Sequence, residues 1–410
     1  MNVASFIANR VAFKSQKSFS AFIIRLATAA TALSVAAMII TLAFVNGFQK
    51  AVSKKVFDFW GHIRVQQYEP AKAIVAEEVP LKQNDTVVQI LKTIPEIKKI
   101  QAFATKTAVL EKNKEIEGVL IKGVDDNYDA ASFKPFLISG KWLNFSDSLY
   151  SKNIIVSKPV ADELQITTGD TVSVYFISPS EHKSTMRKLT VCGIFKSGVE
   201  EFDKLFAVAD LRLIRRVNGW EPDAIGGYEI FLKDYKLIDT VNTTLYSKLP
   251  DQWISRSIRE IYPNIFDWLN IQDVNRDVIF TVMSIVAIIN LVTCLLILVL
   301  ERTRMVGVLK AIGSDNWTIQ KIFLYHSTII AGRGILIGLL FGVGLCVLQQ
   351  YTGLIKLDEA AYYVKNAPVE IIWWQVVLVC LATLFVCIVA LLLPTLFVRN
   401  INPVKAIQFR

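Results

Sequence analysis

Cysteine and histidine are scarce in this sequence, and their positions exclude several kinds of site. The 410 residues include five cysteines and three histidines. Four cysteines lie within long apolar runs, where cysteine behaves as a small hydrophobic residue, and Cys192 alone lies in the polar part. This pattern excludes a disulfide framework. Because His62, His182 and His326 are far apart and fit no zinc-binding spacing, we predict no metal site.

Motifs that would indicate catalysis are also missing. The sequence contains no G-x-x-x-x-G-K-[ST] loop, no G-x-G-x-x-G after a strand and no H-E-x-x-H helix. The chain is therefore not itself an ATPase of the P-loop class, and no nucleophile and base can be paired within its apolar runs. We predict no catalytic residue, no enzymatic activity and no cofactor bound by this chain.

Hydrophobic residues are abundant and unevenly distributed. They make up 53% of the sequence, above the roughly 45 to 50% of ordinary soluble domains. The excess is concentrated in four runs, at residues 22–45, 278–300, 322–348 and 371–398. Each is long enough for a membrane-spanning helix, which needs about 20 residues. The first run exceeds the roughly 7 to 15 apolar residues of a signal peptide, so we predict that it is retained.

The distribution of basic residues predicts the orientation in the membrane. The first 25 residues contain four basic and no acidic residues, and the loop after the second run and the C-terminal tail are also basic. Cytoplasmic loops carry an excess of Lys and Arg. We therefore predict that both termini are cytoplasmic. The formal net charge of +9 reflects this topology, and we predict no nucleic-acid binding.

These features predict a fold class, an α-helical membrane protein with four transmembrane helices and a large extracytoplasmic α+β domain. The predicted segments are a cytoplasmic N-terminal segment (1–21), transmembrane helix 1 (22–47), the periplasmic domain (48–277), transmembrane helix 2 (278–300), a cytoplasmic loop (301–321), transmembrane helix 3 (322–349), a periplasmic loop (350–370), transmembrane helix 4 (371–398) and a cytoplasmic tail (399–410).

Short β-branched and aromatic runs alternate with helical patterns in the outer domain. Runs of this composition, bounded by Gly, Asp, Asn or Pro, are typical of strands. Predicted strands cover residues 105–110, 118–121, 153–156, 171–176, 189–195 and 228–232, and predicted helices cover residues 87–94, 158–164 and 210–217, the last with Asp210 as N-cap.

Two features of the third apolar run concern its packing and its depth. Gly334, Gly338 and Gly342 recur every four residues, which predicts close packing of helices in lipid. Arg333 is an ionisable residue within a span, and such residues usually face protein, water or a transport pathway. Its stem could instead snorkel to one face of the membrane. The sequence leaves both interpretations open.

The loop after the second run is the most informative part of the sequence. Residues 301–313 place Val306, Leu309 and Ile312 on one helical face. This spacing predicts a short amphipathic helix along the inner membrane surface. Such a helix either makes ordinary lipid contacts or docks a cytoplasmic partner and transmits force from it.

Several motifs resemble those of a known permease family. Residues 301–313, E-R-T-R-M-V-G-V-L-K-A-I-G, resemble the E-R-[TR]-R-E-I-G-I-L-R-A-[LI]-G-A signature of MacB- and FtsX-type permeases, with Met305 replacing the usual Glu and Ser314 the usual Ala. Motifs at residues 46–50 (N-G-F-Q-K), 193–203 (G-I-F-K-S-G-V-E-E-F-D) and 362–371 (Y-Y-V-K-N-A-P-V-E-I) resemble lipoprotein-releasing permeases of the LolC/LolE type. The tail N-P-V-K-A is similar to the family's closing motif, although Lys405 stands where an acid is common.

The resemblance implies an architecture and a mechanism. It implies that the outer domain consists of porter-like and Sabre-like subdomains. It also implies that the chain pairs with a second permease chain, the same or related, and that two ABC ATPase subunits, which bind ATP and Mg, associate with the pair. By mechanotransmission, such a permease extracts acylated lipoproteins from the bacterial inner membrane and passes them to a periplasmic carrier. The loop helix would be the ATPase-coupling helix, with Arg304, Met305, Val306, Val308, Leu309, Lys310, Ala311, Ile312 and Gly313 as its candidate residues.

The cargo path and the cargo are less well determined by the sequence. We predict an apolar path near Val45, Phe48, Ile279 and Val282, although these residues could equally face lipid or pack within the helices. A MacB-like or FtsX-like permease that moves a different cargo or activates a periplasmic partner is the main alternative. A membrane-anchored sensor is a second alternative, and it leaves the loop helix without a purpose.

Overall fold

The computed structural model describes residues 19–69, 77–147, 149–177 and 184–399. The chain forms two compact units. Within the described residues, the helical unit comprises residues 19–50, 269–356 and 366–399, and the sheet unit comprises the described residues between 51 and 268 together with 357–365. The predicted N-terminal segment up to residue 18, His182 and the tail from residue 400 lie outside the described residues.

Helices and strands are numbered separately in chain order. The helices are α1 (Phe19–Trp60), α2 (Asp85–Lys92), α3 (Ala130–Phe133), α4 (Lys158–Glu163), α5 (Glu200–Leu205), α6 (Leu211–Asn218), α7 (Ile238–Lys248), α8 (Ile258–Ile261), α9 (Pro263–Glu301), α10 (Thr303–Ala311), α11 (Asn316–Thr352), α12 (Glu359–Tyr362) and α13 (Trp373–Arg399), with 3₁₀ turns at Lys134–Phe136 and Tyr235–Leu237. The strands are β1 (Ile63–Gln67), β2 (Leu81–Lys82), β3 (Ile97–Lys112), β4 (Glu115–Val124), β5 (Leu137–Gly140), β6 (Asn153–Ser157), β7 (Thr171–Ile177), β8 (Ser184–Phe195), β9 (Phe206–Asp210), β10 (Ala224–Ile225), β11 (Gly227–Leu232) and β12 (Trp253–Ser257).

Four helices of the described chain, α1, α9, α11 and α13, are long and apolar enough to cross a membrane. This confirms the predicted number of long apolar helices. Two of them extend well past the predicted boundaries at residues 47 and 278, since α1 ends at Trp60 and α9 begins at Pro263. The 42 residues of α1 span about 63 Å, roughly twice the hydrocarbon thickness of a bilayer. The additional turns of α1 are helical because Val52, Val56 and Phe57 are buried in the sheet unit.

Side chains from several long helices form the core of the helical unit. One cluster joins Ala27 of α1, Leu295 of α9, Phe323 of α11 and Leu391 of α13, all of them buried. A second cluster joins Val35 and Ile39 of α1 with Ile335 of α11 and residues of α13. Helix α10 belongs to the first cluster through Val306.

The three glycines of α11 lie against α1. A Cβ atom added at Gly334 would lie 2.7 Å from the Thr31 side chain, and one added at Gly338 would lie 2.5 Å from the Ala32 carbonyl oxygen. At Gly342 the nearest atom is the Ala36 Cα, at 3.1 Å. Because almost any side chain would separate the helices, the glycines allow the backbones of α1 and α11 to approach closely.

The sheet unit contains a ten-stranded mixed sheet. Its order is β12-β1-β11-β3-β4-β9-β6-β8-β5, while β7 pairs with β3 and β8, and β2 and β10 form a separate pair. Two strand pairs, β4 with β9 and β6 with β8, are parallel. All predicted strands and helices of this unit fall on observed ones, which confirms the α+β class. The porter-like and Sabre-like division stays a prediction.

Buried charges lie at the point where α1 joins the sheet. The Lys122 ammonium donates to the carbonyl oxygen of Phe59, in the last turn of α1, and pairs with Glu229 at 2.8 Å. Both side chains are at most 1% exposed. Nearby, Arg64 lies 3.7 Å from Glu78. A cation at a helix C-terminus is stabilised by the helix dipole, so Lys122 holds the end of α1 against β4 and β11.

Candidate functional site

Helix α10 is anchored to the helical unit by one side. Val306 is fully buried, and Met305 and Leu309 pack partly buried against the same cluster, which includes Phe323 of α11. The helix ends at its C-cap residue Ile312, and Gly313 follows with φ of +92°. This left-handed conformation suits glycine and commonly terminates helices. The loop is therefore a short helix fixed by its apolar side.

The opposite side of α10 is open. Val308 is 43% exposed and Ile312 is 78% exposed. Arg304, Ala311 and Gly313 are exposed as well, and Lys310 is partly exposed. We call Arg304, Val308, Ala311, Ile312 and Gly313 the docking face.

The docking face corrects part of the sequence prediction. Ile312 does not share a face with Val306 and Leu309, because the helix ends at this residue and its side chain points away from the core. The spacing of Arg304, Val308 and Ile312 by four residues was the signal for an exposed face. The prediction instead followed the apolar spacing of Val306, Leu309 and Ile312.

The four residues of the predicted cargo path do not form one open surface. Val45 and Phe48 are only 3% and 1% exposed, and Phe48 stacks on Phe44 with ring centroids 5.6 Å apart. Ile279 is partly buried, whereas Val282 is 48% exposed. Val45 and Phe48 are therefore enclosed by this chain, and the cargo path near these four residues stays a prediction.

An open cleft of about 500 Å³ lies between α1, α9 and α13. Most of its lining is apolar, and Arg276 and Asp277 of α9 are its charged residues. Arg276 forms ion pairs with Asp273 at 2.7 Å and Asp277 at 2.9 Å. The other lining residues are Met38, Leu42, Phe280, Thr281, Ser284, Trp374, Gln375, Leu378, Val379, Ala382, Thr383 and Val386. A cleft of this composition suits a molecule with an apolar chain and a polar head.

Two of the family-like motifs contact each other in the helical unit. Asn46 donates to the Gln375 side chain at 2.6 Å, and Lys50 pairs with Glu370 at 2.5 Å. A Cβ atom added at Gly47 would lie 2.7 Å from the Pro368 carbonyl oxygen. The N-G-F motif of α1 therefore packs against the P-V-E-I segment that precedes α13.

The motif at residues 193–203 contacts the Y-Y part of the motif at residues 362–371 in the sheet unit. The Tyr363 hydroxyl donates to Glu201 at 3.1 Å, and Lys55 of α1 donates to the Tyr363 carbonyl oxygen at 2.6 Å. Asp203 accepts from the backbone and hydroxyl of Ser197, both at 2.7 Å. Burial raises the pKa of Asp203 and lowers the pKa of Lys55. The S-G-V-E-E-F-D turn is thus joined to the Y-Y segment by the hydrogen bond between Tyr363 and Glu201.

Ionisable residues elsewhere form no further site within the described ranges. Among residues 19–69, 77–147, 149–177 and 184–399, no group of three His, Cys, Asp or Glu side chains is placed to hold a metal ion. Arg333 is exposed on the surface of α11. Its side chain therefore lies outside the packed core of this chain.

Comparison with known proteins identifies the family. The MacB-like periplasmic core domain matches residues 26–243, more than half of the chain, and the FtsX-like permease C-terminal domain matches residues 278–403. The lipoprotein-releasing system transmembrane protein LolE of Haemophilus influenzae is 23% identical over 431 residues, covering 100% of both chains. LolC of Xylella fastidiosa is 22% identical over 411 residues, covering 97% of this chain and 96% of that protein. The periplasmic region of MacB from Actinobacillus actinomycetemcomitans, a solved structure, matches with 10% identity and a TM-score of 0.35, covering 50% of this chain and 91% of that one. The chain therefore belongs to the MacB/FtsX-like permease family, and along its full length it is similar to the LolC and LolE proteins of lipoprotein-releasing systems.

Proposed function

We propose that this chain is the permease subunit of an ABC transporter that extracts acylated lipoproteins from the bacterial inner membrane. The permease passes each lipoprotein to a periplasmic carrier. Two separate ABC ATPase subunits bind ATP and Mg, and a second permease chain, the same or related, completes the complex. The proposal is supported by the full-length similarity to lipoprotein-releasing proteins. The observation that carries it is the docking face, which exposes apolar side chains on a helix that is otherwise anchored.

The packing of α10 suggests how force reaches the long helices. A partner that pushes on Val308 and Ile312 displaces Val306, which is packed in the same cluster as residues of α1, α9 and α11. Close-packed interiors have low compressibility and transmit strain. Helices α1 and α9 continue without interruption into residues of the sheet unit. We infer that these helices carry the ATP-driven motion by mechanotransmission.

The cleft between α1, α9 and α13 is our candidate for cargo contact. Each buried acyl CH₂ group contributes about 0.8 kcal/mol to membrane anchoring, so extraction requires both energy input and an apolar route. The apolar lining of the cleft offers such a route for an acyl chain, and Arg276 and Asp277 offer polar partners for a headgroup. The cleft residues Leu42 and Phe280 are close in sequence to Val45 and Ile279 of the predicted path.

The orientation follows from the basic segments of the sequence. The loop that contains α10 and both termini are cytoplasmic in this proposal, and the sheet unit is periplasmic. The docking face then lies on the side where ATP is available. If the chain were a sensor or an adhesin, the exposed apolar residues of the docking face would have no cytoplasmic partner to bind.

A second permease function remains the alternative. A MacB-like or FtsX-like machine that moves another cargo, or activates a periplasmic partner, would use the same docking face. The full-length relatives favour lipoprotein release over this alternative. The cargo therefore has to be tested separately from the docking of the ATPase.

We expect Ile312→Asp to weaken binding of the ATPase and to abolish lipoprotein transfer. The chain is purified with its candidate cassette ATPase in lipid nanodiscs, and ATP-dependent transfer of an acylated lipoprotein to a soluble carrier is followed. Because Ile312 is 78% exposed, a charge there should leave folding intact, whereas Leu309→Asp would also disturb the core. Loss of an apolar contact at the centre of an interface typically costs about 2 kcal/mol of binding free energy, which weakens the affinity roughly 30-fold.

Ile116→Asp is the matched control, since Ile116 is an isoleucine 67% exposed in the sheet unit. It should bind the ATPase and transfer lipoprotein like the wild type. Unchanged ATPase affinity in Ile312→Asp would refute the docking face. If the wild-type complex hydrolyses ATP but releases no acylated protein, the lipoprotein cargo is refuted and the MacB-like or FtsX-like alternative is favoured.

A further inference from the structure

A short hairpin connects α11 to α13 and belongs to both units. Lys356 pairs with Asn366 in an antiparallel bridge, and the Leu357 amide donates to the Lys365 carbonyl at 2.9 Å. Residues 357–365 at the tip belong to the sheet unit, whereas the residues on either side belong to the helical unit. The chain thus passes from one unit to the other within α1, within α9 and twice in this hairpin.

The base of the hairpin is fixed to the end of α11 by Gln349. This side chain is 8% exposed. Its carbonyl oxygen accepts from the Ile355 amide at 2.9 Å, and its amide group donates to the Ala367 carbonyl oxygen at 3.1 Å. One side chain of α11 therefore holds both strands of the hairpin, and a displacement of this end of α11 displaces the base.

The tip of the hairpin is held by one carboxylate among three lysines. Glu359 is 16% exposed and pairs with Lys196 at 2.5 Å, Lys55 at 3.8 Å and Lys365 at 3.9 Å. Lys55 belongs to α1, and Lys196 follows directly after β8. Hydrogen bonds to charged groups are about twice as strong as neutral ones. Glu359 therefore ties the hairpin both to α1 and to the sheet.

The residues around the tip of the hairpin are closely packed. A Cβ atom at Gly198 would clash with the Lys55 ammonium and lie 2.7 Å from the Glu359 carboxylate, and Gly198 has φ of +76°. On the other side of the tip, the Tyr363 ring packs edge-on against Trp268 of α9 with centroids 5.5 Å apart. The tip thus contacts α1, α9 and the turn after β8 at the same time.

We propose that this hairpin is a strut that carries the displacement of α11 to the sheet unit, with Gln349 and Glu359 as its positioning residues. The inference rests on the proposed ABC permease function. It gives a role to the hairpin, which the proposed mechanotransmission through α1 and α9 does not use. Helix α11 ends at Thr352, so the hairpin that follows is its direct covalent link to the sheet unit. A hairpin that is anchored at its base and at its tip, and whose two sides are joined by hydrogen bonds, transmits displacement better than a flexible loop.

Glu359→Gln tests the strut, because it removes the charge and preserves the shape of the side chain. The full complex with its ATPase is studied by amide hydrogen exchange with and without ATP, and lipoprotein release per ATP hydrolysed is measured in parallel. We expect exchange at residues 357–365 to rise about tenfold. We also expect the ATP-dependent change in exchange at residues 196–203 to disappear, and release per ATP to fall severalfold while ATP hydrolysis continues. Glu359→Asp should restore part of the coupling.

Lys54→Gln is the control, because Lys54 neighbours Lys55 on α1 but pairs with Asp58 on the exposed surface. It should behave like the wild type. The strut is overturned if Glu359→Gln lowers ATP hydrolysis and release in the same proportion, or if its ATP-dependent exchange at residues 196–203 equals that of the wild type. If the wild type releases no lipoprotein but loses this exchange response in Glu359→Gln, the cargo proposal fails and the strut stands.

Discussion

Single residues show most clearly what local sequence patterns omit. Lys122 and Glu229 each interrupt an apolar strand segment, V-L-I-K-G-V and Y-E-I-F-L. Because successive strand residues face opposite sides, a lone charge in such a run predicts a solvent-facing position. Both side chains are instead buried against each other, although they are 107 residues apart in the chain. A pairing over this separation leaves no periodic signal, so the sequence could not predict it.

His62 gives a prediction about pH at the same scale. Its ring stacks on Phe57 with centroids 4.5 Å apart, and its Nδ1 accepts from the Leu232 amide at 3.2 Å. Burial lowers the pKa of His62 from 6.5 to about 4. The folded state therefore favours the neutral ring. Its stabilising contribution is complete above pH 6.5 and falls by about 1.4 kcal/mol per pH unit between pH 6.5 and 4.

Thermal unfolding of the full chain in detergent, measured from pH 7 to pH 4, tests this expectation. The protection factor of the Leu232 amide, the ratio of its intrinsic exchange rate to the observed rate at the same pH, should also fall as the pH is lowered, because the protonated ring cannot accept its hydrogen bond. His62→Asn keeps an acceptor that does not titrate, so this part of the slope should disappear. An identical slope in wild type and His62→Asn would show that other groups cause the pH dependence.

At the scale of elements, hydrophobic periodicity predicted the core of each helix better than its ends. The four apolar runs and the six predicted strands are all present. The last turns of α1 were predicted as part of a separate domain, because Lys54, Lys55 and Asp58 interrupt the apolar run. The six other strands, β1, β2, β5, β9, β10 and β12, were missed. β1 contains the buried Arg64, and β9 is buried along its whole length and so shows no alternation.

The packing of α11 on α1 gives a prediction for a pair of elements. A Cβ atom at Gly338 would lie 2.5 Å from the Ala32 carbonyl oxygen and 2.9 Å from the Val35 Cβ. The Ala32 carbonyl oxygen and the Val35 Cβ cannot move without moving the backbone of α1, so Gly338→Ala should separate the two helices. Overpacking of this kind costs about 1 to 3 kcal/mol, and the unfolding temperature in detergent should fall accordingly.

Gly344→Ala on the same helix is the matched control. A Cβ atom there has no atom within 4 Å among the described residues, so the variant should be neutral or gain up to about 1 kcal/mol from helix propensity. Equal unfolding temperatures for Gly338→Ala and Gly344→Ala would mean that close packing of α11 on α1 does not limit stability.

For the whole molecule, the sequence predicted the four long apolar helices and the short loop helix α10 but not the contacts that connect distant segments. The loop helix α10 was recognisable because its signature is continuous. The cleft, the N-G-F contact and the hairpin each join residues from several helices, as with Asn46 and Gln375, which are 329 residues apart. Motifs at residues 46–50, 193–203 and 362–371 were visible as a resemblance. Their pairing, which explains why these residues occur together, required the fold.

The predicted orientation can be tested with two introduced cysteines. Ile312 and Leu354 are 78% and 66% exposed, and they lie on opposite sides of α11 in sequence. The basic segments predict that Ile312 is cytoplasmic and Leu354 periplasmic. A membrane-impermeant thiol reagent should therefore label Leu354→Cys in cells with a permeabilised outer membrane, but label Ile312→Cys only after the inner membrane is disrupted. Native Cys192 should react slowly, because burial raises its pKa to about 11 and the thiolate is the reactive form. Labelling of Ile312→Cys in cells with an intact inner membrane would invert the topology and remove the docking face from the side where ATP is available.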